Sequence, residues 1–147
     1  MIAYNDTKYF MKKNITFIAL LLLLTIGCNN SQKGAVGSRS AATTITNENY
    51  KSLIKEKEGV SLLYFWAVWC GPCRMTAPVV EELVGEYEGK ALIGKVNVDD
   101  APEIAGEYGI RNIPTFVILK DGKVVGKEIG VVGKRKLASK LEKALGK

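Results

Sequence analysis

The feature that most constrains the fold is a nearly continuous apolar segment from Val60 to Trp69, which leads directly into a helix-forming sequence. A segment this apolar is typical of a β-strand that is buried on both faces, as in a parallel sheet. Pro72 marks the start of a long helix that we predict to reach about Tyr87, and Pro78 should kink it. Its inward-facing residues are predicted to be Met75, Val79, Val80, Leu83 and Val84.

The rest of the chain continues this alternation of strands and helices. Capping residues at Thr46–Asn49 predict a short helix to about Lys57, and the pair Asp121-Gly122 predicts a β-hairpin. The other predicted strands are Ala91–Val98, Thr115–Leu119 and Val124–Ile129, and the other predicted helices are Pro102–Tyr108 and Gly133–Leu145. This order predicts an α/β domain with a central mixed β-sheet. We interpret the basic face of the last helix as solvated, with contact to anionic lipid as the alternative.

The N-terminus has the pattern of a secretion signal. Lys12 and Lys13 precede an apolar run of 12 residues, Ile15–Ile26, which is shorter than the roughly 20 residues that a membrane-spanning helix needs. The run ends in Leu-Thr-Ile-Gly-Cys, which resembles a bacterial lipobox with Cys28 as the lipidated residue. The alternative is a plain secretion signal and a chance cysteine. We therefore predict a lipoprotein-type signal peptide at residues 1–27, a flexible tether at residues 28–42 and one domain at residues 43–147.

The composition excludes several kinds of site. The 147 residues include no His, which rules out a Ser-His-Asp triad, a Cys-His nucleophile and a zinc site with imidazole ligands. We expect no metal site and no cofactor. A mature chain that begins at Cys28 has 18 Lys and Arg against 14 Asp and Glu, and it has no dense basic patch among aromatic residues. We therefore expect no nucleic-acid partner.

Cys70 and Cys73 carry the remaining chemistry. They flank Gly71 and Pro72 at the point where the buried strand turns into the helix. Unpaired N–H groups and the positive end of the helix dipole at that point favour a thiolate, which is the nucleophile in disulfide exchange. We predict that Cys70 attacks a disulfide and that Cys73, one turn later, resolves the mixed disulfide. Half of a metal site and a purely structural disulfide are the alternatives.

Several separate motifs, in the expected order, resemble those of the thioredoxin family. They are Phe65–Met75 with Ala77 and Pro78, then Val96–Asp99, Tyr108–Thr115, Gly122 and Gly130. The resemblance implies a thioredoxin fold, in which helices flank a mixed sheet on both faces, and a cis peptide bond between Ile113 and Pro114. It also implies an apolar surface on which extended substrate segments dock, formed by Trp69, Gly71, Pro72, Ile113, Pro114 and Gly130.

One position departs from the family pattern. Thioredoxins usually have a buried Asp two residues before the first Trp of the motif, where it relays a proton to and from the second Cys, but here the residue is Tyr64. A tyrosine hydroxyl has a pKa of about 10 and is a poor base at neutral pH. Lys95 matches the Lys neighbour of that Asp. We predict slower resolution by Cys73 than in a typical thioredoxin, with Tyr64, Lys95 or a bridging water as candidates for the proton relay.

The main functional hypothesis is a lipid-anchored, extracytoplasmic thiol–disulfide oxidoreductase that reduces client disulfides through Cys70 and Cys73 on the periplasmic side of a bacterial membrane. The pair Gly71-Pro72 resembles that of the reducing members of the family. The expected partners are disulfide-containing proteins and a transmembrane thiol reductase that supplies electrons, and the protein is expected to be a monomer. The alternatives are a non-catalytic, tethered peptide-binding adapter, a disulfide oxidase or isomerase, and a copper carrier. The copper carrier is disfavoured because the chain has no His and only three Met.

Overall fold

The computed structural model describes residues 41–147, so the predicted signal peptide (residues 1–27), the predicted lipidation residue Cys28 and nearly all of the predicted tether lie outside the described residues. The described strands are β1 (Thr43–Thr44), β2 (Val60–Trp66), β3 (Ala91–Asn97), β4 (Thr115–Lys120) and β5 (Lys123–Ile129). The helices are α1 (Asn47–Tyr50), which a π-helical turn continues over Lys51–Lys55, then α2 (Gly71–Glu86), α3 (Pro102–Glu107) and α4 (Lys134–Leu145).

The five strands form one mixed sheet in the order β1-β3-β2-β4-β5. β1 and β2 run parallel to β3, whereas β4 is antiparallel to both β2 and β5. Alternate residues of β2 point to opposite faces, as the two-residue period of a strand requires. Leu62 and Tyr64 pack in one core cluster with residues of α2 and α4, and Leu63 and Phe65 pack in a second cluster with residues of the π-helical turn and α3. Helices therefore cover both faces of the sheet, which confirms the predicted fold.

β2 ends earlier than the apolar segment predicts. Its last residue is Trp66, whereas the segment continues to Trp69. The backbone turns after the strand, and the carbonyl of Ala67 accepts a hydrogen bond of 3.1 Å from the N–H of Cys70. Val68 and Trp69 are 67% and 65% exposed. These two apolar residues therefore belong to an exposed turn between the strand and α2, and not to the buried strand.

α2 begins at Gly71 and continues through Pro78 to Glu86. Its buried residues are Cys73, Thr76, Val80, Leu83 and Val84. The prediction that Met75 faces inward is wrong, because Met75 is 69% exposed. A helix rotates by about 100° per residue, so Met75 lies about 200° around the axis from the buried Cys73.

The sheet edge nearest the N-terminus contains a strand that the sequence did not predict. β1 has only two residues, which pair with Gly94 and Lys95 of β3, and two residues are too few to show an alternating pattern. Ala42, the last residue of the predicted tether, is 4% exposed, and its N–H donates to Glu81 Oε2 at 3.3 Å. The packed part of the domain therefore includes Ala42, one residue before the predicted start at residue 43.

The predicted hairpin is present and lies against the first helix. That helix ends at Lys55, two residues before the predicted end, after its change to π-helical geometry. Gly122 in the hairpin turn has a φ of +71°, and a Cβ added there would lie 2.5 Å from the carbonyl oxygen of Lys55. Glycine is therefore required at this position both by the backbone conformation and by the close approach of the helix. Within residues 41–147, the helices are too short or too polar to cross a bilayer.

Candidate active site

Cys70 and Cys73 form a disulfide at the N-terminus of α2, with their Cα atoms 5.2 Å apart. Cys70 is the N-cap residue of the helix, and Pro72 lies in the first helical turn. The buried strand β2 and the turn that follows it bring the chain to this point, so the strand, the turn and the helix together fix both sulfurs. The structure therefore contains the oxidised form of a dithiol–disulfide pair.

The two sulfurs have different environments. Cys70 Sγ accepts a hydrogen bond of 3.2 Å from the backbone N–H of Cys73, and it lies at the end of the helix where the dipole favours negative charge. Cys70 is 4% exposed, and Cys73 is 1% exposed and packs in the core. After reduction, the N–H group of Cys73 and the helix dipole therefore favour negative charge on Cys70, although both cysteines are buried.

Tyr64 of β2 lies beneath the second cysteine. Its hydroxyl donates a hydrogen bond of 2.9 Å to the carbonyl oxygen of Cys73, and its ring stacks on Phe116 with the centroids 5.1 Å apart. Thr76 Oγ1 lies 3.1 Å from the Tyr64 hydroxyl and 3.0 Å from the same carbonyl oxygen, so its single proton serves one of them at a time. Burial raises the pKa of Tyr64, so the hydroxyl stays protonated at neutral pH. In this geometry Tyr64 holds the backbone of Cys73, and its part in a proton relay stays a prediction.

A cleft of about 150 Å³ opens beside Cys73. Its lining includes Tyr64, Trp66, Glu81 and Lys95, and Tyr64 and Lys95 are direct neighbours across β2 and β3. A cleft of this size with several polar groups can hold water. Trp66 packs against the core as predicted but is only half-buried, and its Nε1 is buried with no hydrogen-bond partner within residues 41–147. The geometry is compatible with a water path between Cys73 and Lys95, and the relay role of Lys95 stays a prediction.

Apolar side chains surround the disulfide on the protein surface. Trp69 is 65% exposed, and its Nε1 donates a hydrogen bond of 2.9 Å to Asp99 Oδ2, which fixes the indole against the loop that follows β3. Gly71 is half-buried and Pro72 is exposed. Trp69 therefore lies on the surface, as the docking surface implied by the family resemblance requires, and its hydrogen bond holds the ring beside the cysteines.

The other predicted docking residues lie at the start of β4. The peptide bond between Ile113 and Pro114 is cis, and the carbonyl oxygen of Pro114 accepts a hydrogen bond of 2.8 Å from the N–H of Gly130. β4 begins opposite the end of β2, so this loop lies at the same end of the sheet as the disulfide. Ile113 packs against the core cluster that contains both cysteines. The fold therefore brings all six predicted docking residues to one end of the domain.

Three contributors to this end of the domain were not predicted. Asp99 is 30 positions from Trp69 in sequence, so their hydrogen bond is not visible without the fold. Val131 is 56% exposed directly after Gly130, and the sequence does not distinguish it from a core residue. Thr76 could have been found, because the third residue after Cys73 lies on the same face of the helix.

The arrangement supports thiol–disulfide exchange. Within the described residues, no group of three or more His, Cys, Asp or Glu side chains could hold a metal ion. The reduced pair can transfer two electrons to a disulfide through a mixed-disulfide intermediate. The roles of Cys70 as the attacking sulfur and of Cys73 as the resolving sulfur stay predictions.

Residues 41–143 match the family model described as Thioredoxin. Thioredoxin 2 of Chlorobaculum tepidum is 52% identical to the chain over 101 residues, which cover 69% of the chain and 93% of that protein. Thioredoxin 1 of Nostoc sp. is 47% identical over 106 residues, which cover 72% of the chain and 99% of that protein. The thioredoxin of Staphylococcus epidermidis is 47% identical over 105 residues, with coverages of 71% and 99%. The matched domain makes up nearly the whole of these relatives, so it folds as an independent unit.

Proposed function

Because the chain belongs to the thioredoxin family and is a thiol–disulfide oxidoreductase, we propose that it works as a reductase of disulfide-containing client proteins. The observation that carries this proposal is the hydrogen bond of 3.2 Å from the N–H of Cys73 to Cys70 Sγ at the N-terminus of α2. The same N–H group and the helix dipole stabilise a thiolate at Cys70, which is the form that attacks a disulfide.

The exchange has two steps. The Cys70 thiolate attacks one sulfur of the client disulfide, a mixed disulfide forms, and the other client sulfur leaves as a thiolate. Cys73 then loses its proton and attacks Cys70 Sγ, which releases the second client sulfur and forms the observed Cys70–Cys73 disulfide. Two electrons have moved from the dithiol to the client.

The surroundings of the sulfurs support the reducing direction. A strongly stabilised thiolate makes a dithiol a poor electron donor and its disulfide an oxidant. Here one N–H group donates to Cys70 Sγ, and the residues between the cysteines, Gly71 and Pro72, add no positive charge. We expect a reduction potential near that of known thioredoxins, about −270 mV, and a value near about −120 mV would overturn the reducing assignment in favour of an oxidase.

We further propose that the domain is attached to the outside of a bacterial membrane through a lipid on Cys28. Residues 1–40 lie outside the family match, and they contain the secretion pattern and the lipobox-like cysteine. A reductase in an oxidising compartment needs a supply of electrons, and a transmembrane thiol reductase is the kind of donor that fits. Cell fractionation with mass analysis of the mature N-terminus tests this: an acylated N-terminus at Cys28 in the membrane fraction is expected, and an intact N-terminus in the cytoplasmic fraction would refute it.

Insulin reduction tests the reductase activity. With dithiothreitol as the electron source, Cys70→Ser should abolish activity, and Cys73→Ser should accumulate the mixed disulfide. Cys28→Ser is the matched control, because it removes a thiol outside the matched domain and should leave the rate unchanged. Equal activity of the wild type and Cys73→Ser would instead support the non-catalytic adapter.

A further inference from the structure

Charge is distributed unevenly over the described domain. Residues 41–119 contain seven Lys and Arg against eleven Asp and Glu, a net charge of −4. Residues 120–147, which form the hairpin turn, β5 and α4, contain nine Lys and Arg against three Asp and Glu, a net charge of +6. The domain therefore has a basic C-terminal segment and an acidic remainder, although its total charge is small.

The fold concentrates part of this basic charge around one cleft. The cleft lies between β5 and the end of α4, has a volume of about 250 Å³ and is lined by Lys120, Lys140 and Lys143 together with apolar groups that include Val125. Lys120 Nζ donates a hydrogen bond of 3.1 Å to the carbonyl oxygen of Ala144, which connects the hairpin to the end of the helix. The cleft thus combines cationic side chains with an apolar lining.

Most of these lysines are not neutralised. Lys140 pairs with Glu128 at 2.9 Å, but within residues 41–147 Lys120, Lys123 and Lys143 form no ion pair. The neighbouring Val124 and Val125 are 53% and 55% exposed on β5, which is an edge strand. We call this surface the basic pole, and it comprises Lys120, Lys123, Val124, Val125, Lys140 and Lys143.

The basic pole lies at the opposite end of the sheet from the disulfide. Lys120 pairs with Val60, the first residue of β2, whereas Cys70 follows the last residue, Trp66. The six residue steps along β2 correspond to about 20 Å, at about 3.3 Å per residue. A partner bound at the basic pole therefore leaves the redox site uncovered.

We propose that the basic pole docks on the anionic headgroups of a lipid bilayer. Lysine ammonium groups contact lipid phosphates, and the exposed valines contact the boundary between headgroups and acyl chains. Both chemistries belong to one anionic lipid, whereas an acidic protein would satisfy the lysines and leave the valines without a matching surface. The docking rests on the proposed function only in the expectation that the domain is tethered near a membrane. It adds an orientation, in which the disulfide points away from the bilayer.

Vesicle co-sedimentation tests the proposal with the isolated domain, residues 41–147. This domain lacks the signal sequence and Cys28, so neither the signal sequence nor a lipid attached to Cys28 contributes to binding. The vesicles are pure phosphatidylcholine, or phosphatidylcholine with 30% phosphatidylglycerol. Binding to the anionic vesicles alone is expected, and raising the salt from 20 to 300 mM NaCl should weaken it. Each lysine near an anionic surface contributes about fivefold in affinity, so Lys120→Gln, Lys123→Gln and Lys143→Gln together should weaken binding about a hundredfold.

A matched control separates the position of the charges from their number. Lys51, Lys127 and Lys134 lie outside the basic pole, and each already contacts an acceptor, respectively Glu56, the carbonyl of Tyr108 and Glu82. Their triple replacement by Gln changes the net charge equally and should weaken binding less than threefold. Equal losses in the two triple variants, or no binding of the wild type to anionic vesicles, would overturn the proposal. Binding of the wild type to polyglutamate but not to the vesicles would overturn it in favour of an acidic protein partner.

A second measurement reports the orientation. Both native Trp residues are at the redox end, so Val124→Trp adds a fluorophore at the basic pole. Brominated anionic vesicles should quench the added Trp and leave the native fluorescence unchanged, and the reverse pattern would refute the orientation. Insulin reduction by the same variants should be unchanged. A wild-type domain that reduces insulin but does not bind anionic vesicles contradicts only this inference, and one that binds the vesicles but does not reduce insulin contradicts only the proposed reductase.

Discussion

Tyr64→Phe separates the two roles that Tyr64 could have at the redox site. The replacement removes one hydroxyl and keeps the ring that stacks on Phe116. It removes the hydrogen bond of 2.9 Å to the carbonyl oxygen of Cys73, and Thr76 Oγ1 remains 3.0 Å from that oxygen. The variant therefore tests the hydroxyl alone, and it leaves no buried carbonyl without a donor.

The expected loss of stability follows from this geometry. A hydrogen bond between neutral groups contributes about 1 kcal/mol net, and the larger penalty for an unpaired buried group does not apply because Thr76 can donate to Cys73 instead. We expect the free energy of unfolding of the oxidised protein to fall by about 1 kcal/mol, measured by urea denaturation. Tyr50→Phe is the matched control for the loss of a tyrosine hydroxyl at a position away from Cys73. It removes a hydroxyl contact of 2.9 Å to Tyr108, on the other face of the sheet.

Although Tyr64→Phe should lower the stability, we expect it to leave the rate at which Cys73 resolves the mixed disulfide unchanged. Burial raises the pKa of Tyr64, so at pH 7 its hydroxyl is a donor to the Cys73 backbone and carries no negative charge. We expect the mixed disulfide of Tyr64→Phe to decay within twofold of the wild-type rate, with the same pH dependence. A tenfold slower decay would show that the hydroxyl transfers the proton, and an unchanged free energy of unfolding would show that the hydrogen bond contributes nothing.

Three further predictions concern the redox chemistry, the hairpin and an ion pair. Tyr64→Asp should accelerate decay of the mixed disulfide at least tenfold, because a buried carboxylate is a better base than a phenol, and an unchanged rate would contradict the predicted slow resolution. Gly122→Ala should lower the free energy of unfolding by about 3 kcal/mol, because it adds overlap with the carbonyl of Lys55 to the cost of a positive φ. Gly89 has a φ of +72° and open space around it, so Gly89→Ala should lower the free energy of unfolding by only about 1 kcal/mol. Equal losses in urea denaturation would refute the role of the close approach at Gly122. Glu128→Gln should destabilise the domain at pH 7 by less than about 1 kcal/mol. Hydrogen bonds from Lys136 and Lys140 of α4 lower the pKa of Glu128. The contribution of Glu128 to stability is therefore present above the ordinary glutamate pKa and is lost as the pH falls through the lowered folded-state value. A difference in the free energy of unfolding between wild type and variant that persists in urea titrations at pH 2.5 would contradict this assignment.

The sequence was sufficient for the parts of the fold that have a long or distinctive pattern. The apolar segment of β2 and the Asp-Gly turn were read from residue chemistry, and the cis bond at Pro114 from the family resemblance, and all three are present. The sequence was insufficient where a large apolar residue lies on the surface. Met75 and Val68 look like core residues in the sequence, but they lie on the surface near the disulfide.

Other features were beyond the sequence because they depend on the fold. β1 has two residues and exists only because β3 provides a partner. The contact from Tyr64 to the Cys73 backbone joins a strand to a helix, and no spacing along the chain indicates which way the hydroxyl points. The same holds for the basic pole, since the sequence shows the lysines of α4 but not their meeting with Lys120 of the hairpin.

The two-residue strand β1 has a mechanical consequence. The chain enters the sheet there, and β3 separates it from β2, the strand that leads to Cys70. Tension applied at residue 41 therefore acts on the contact of Ala42 with Glu81 of α2 and on the short pairing with β3, whereas the pairing of β3 with β2 is longer. We expect β1, with two paired residues, to separate from β3 before the seven paired residues of β2, the strand that leads to Cys70.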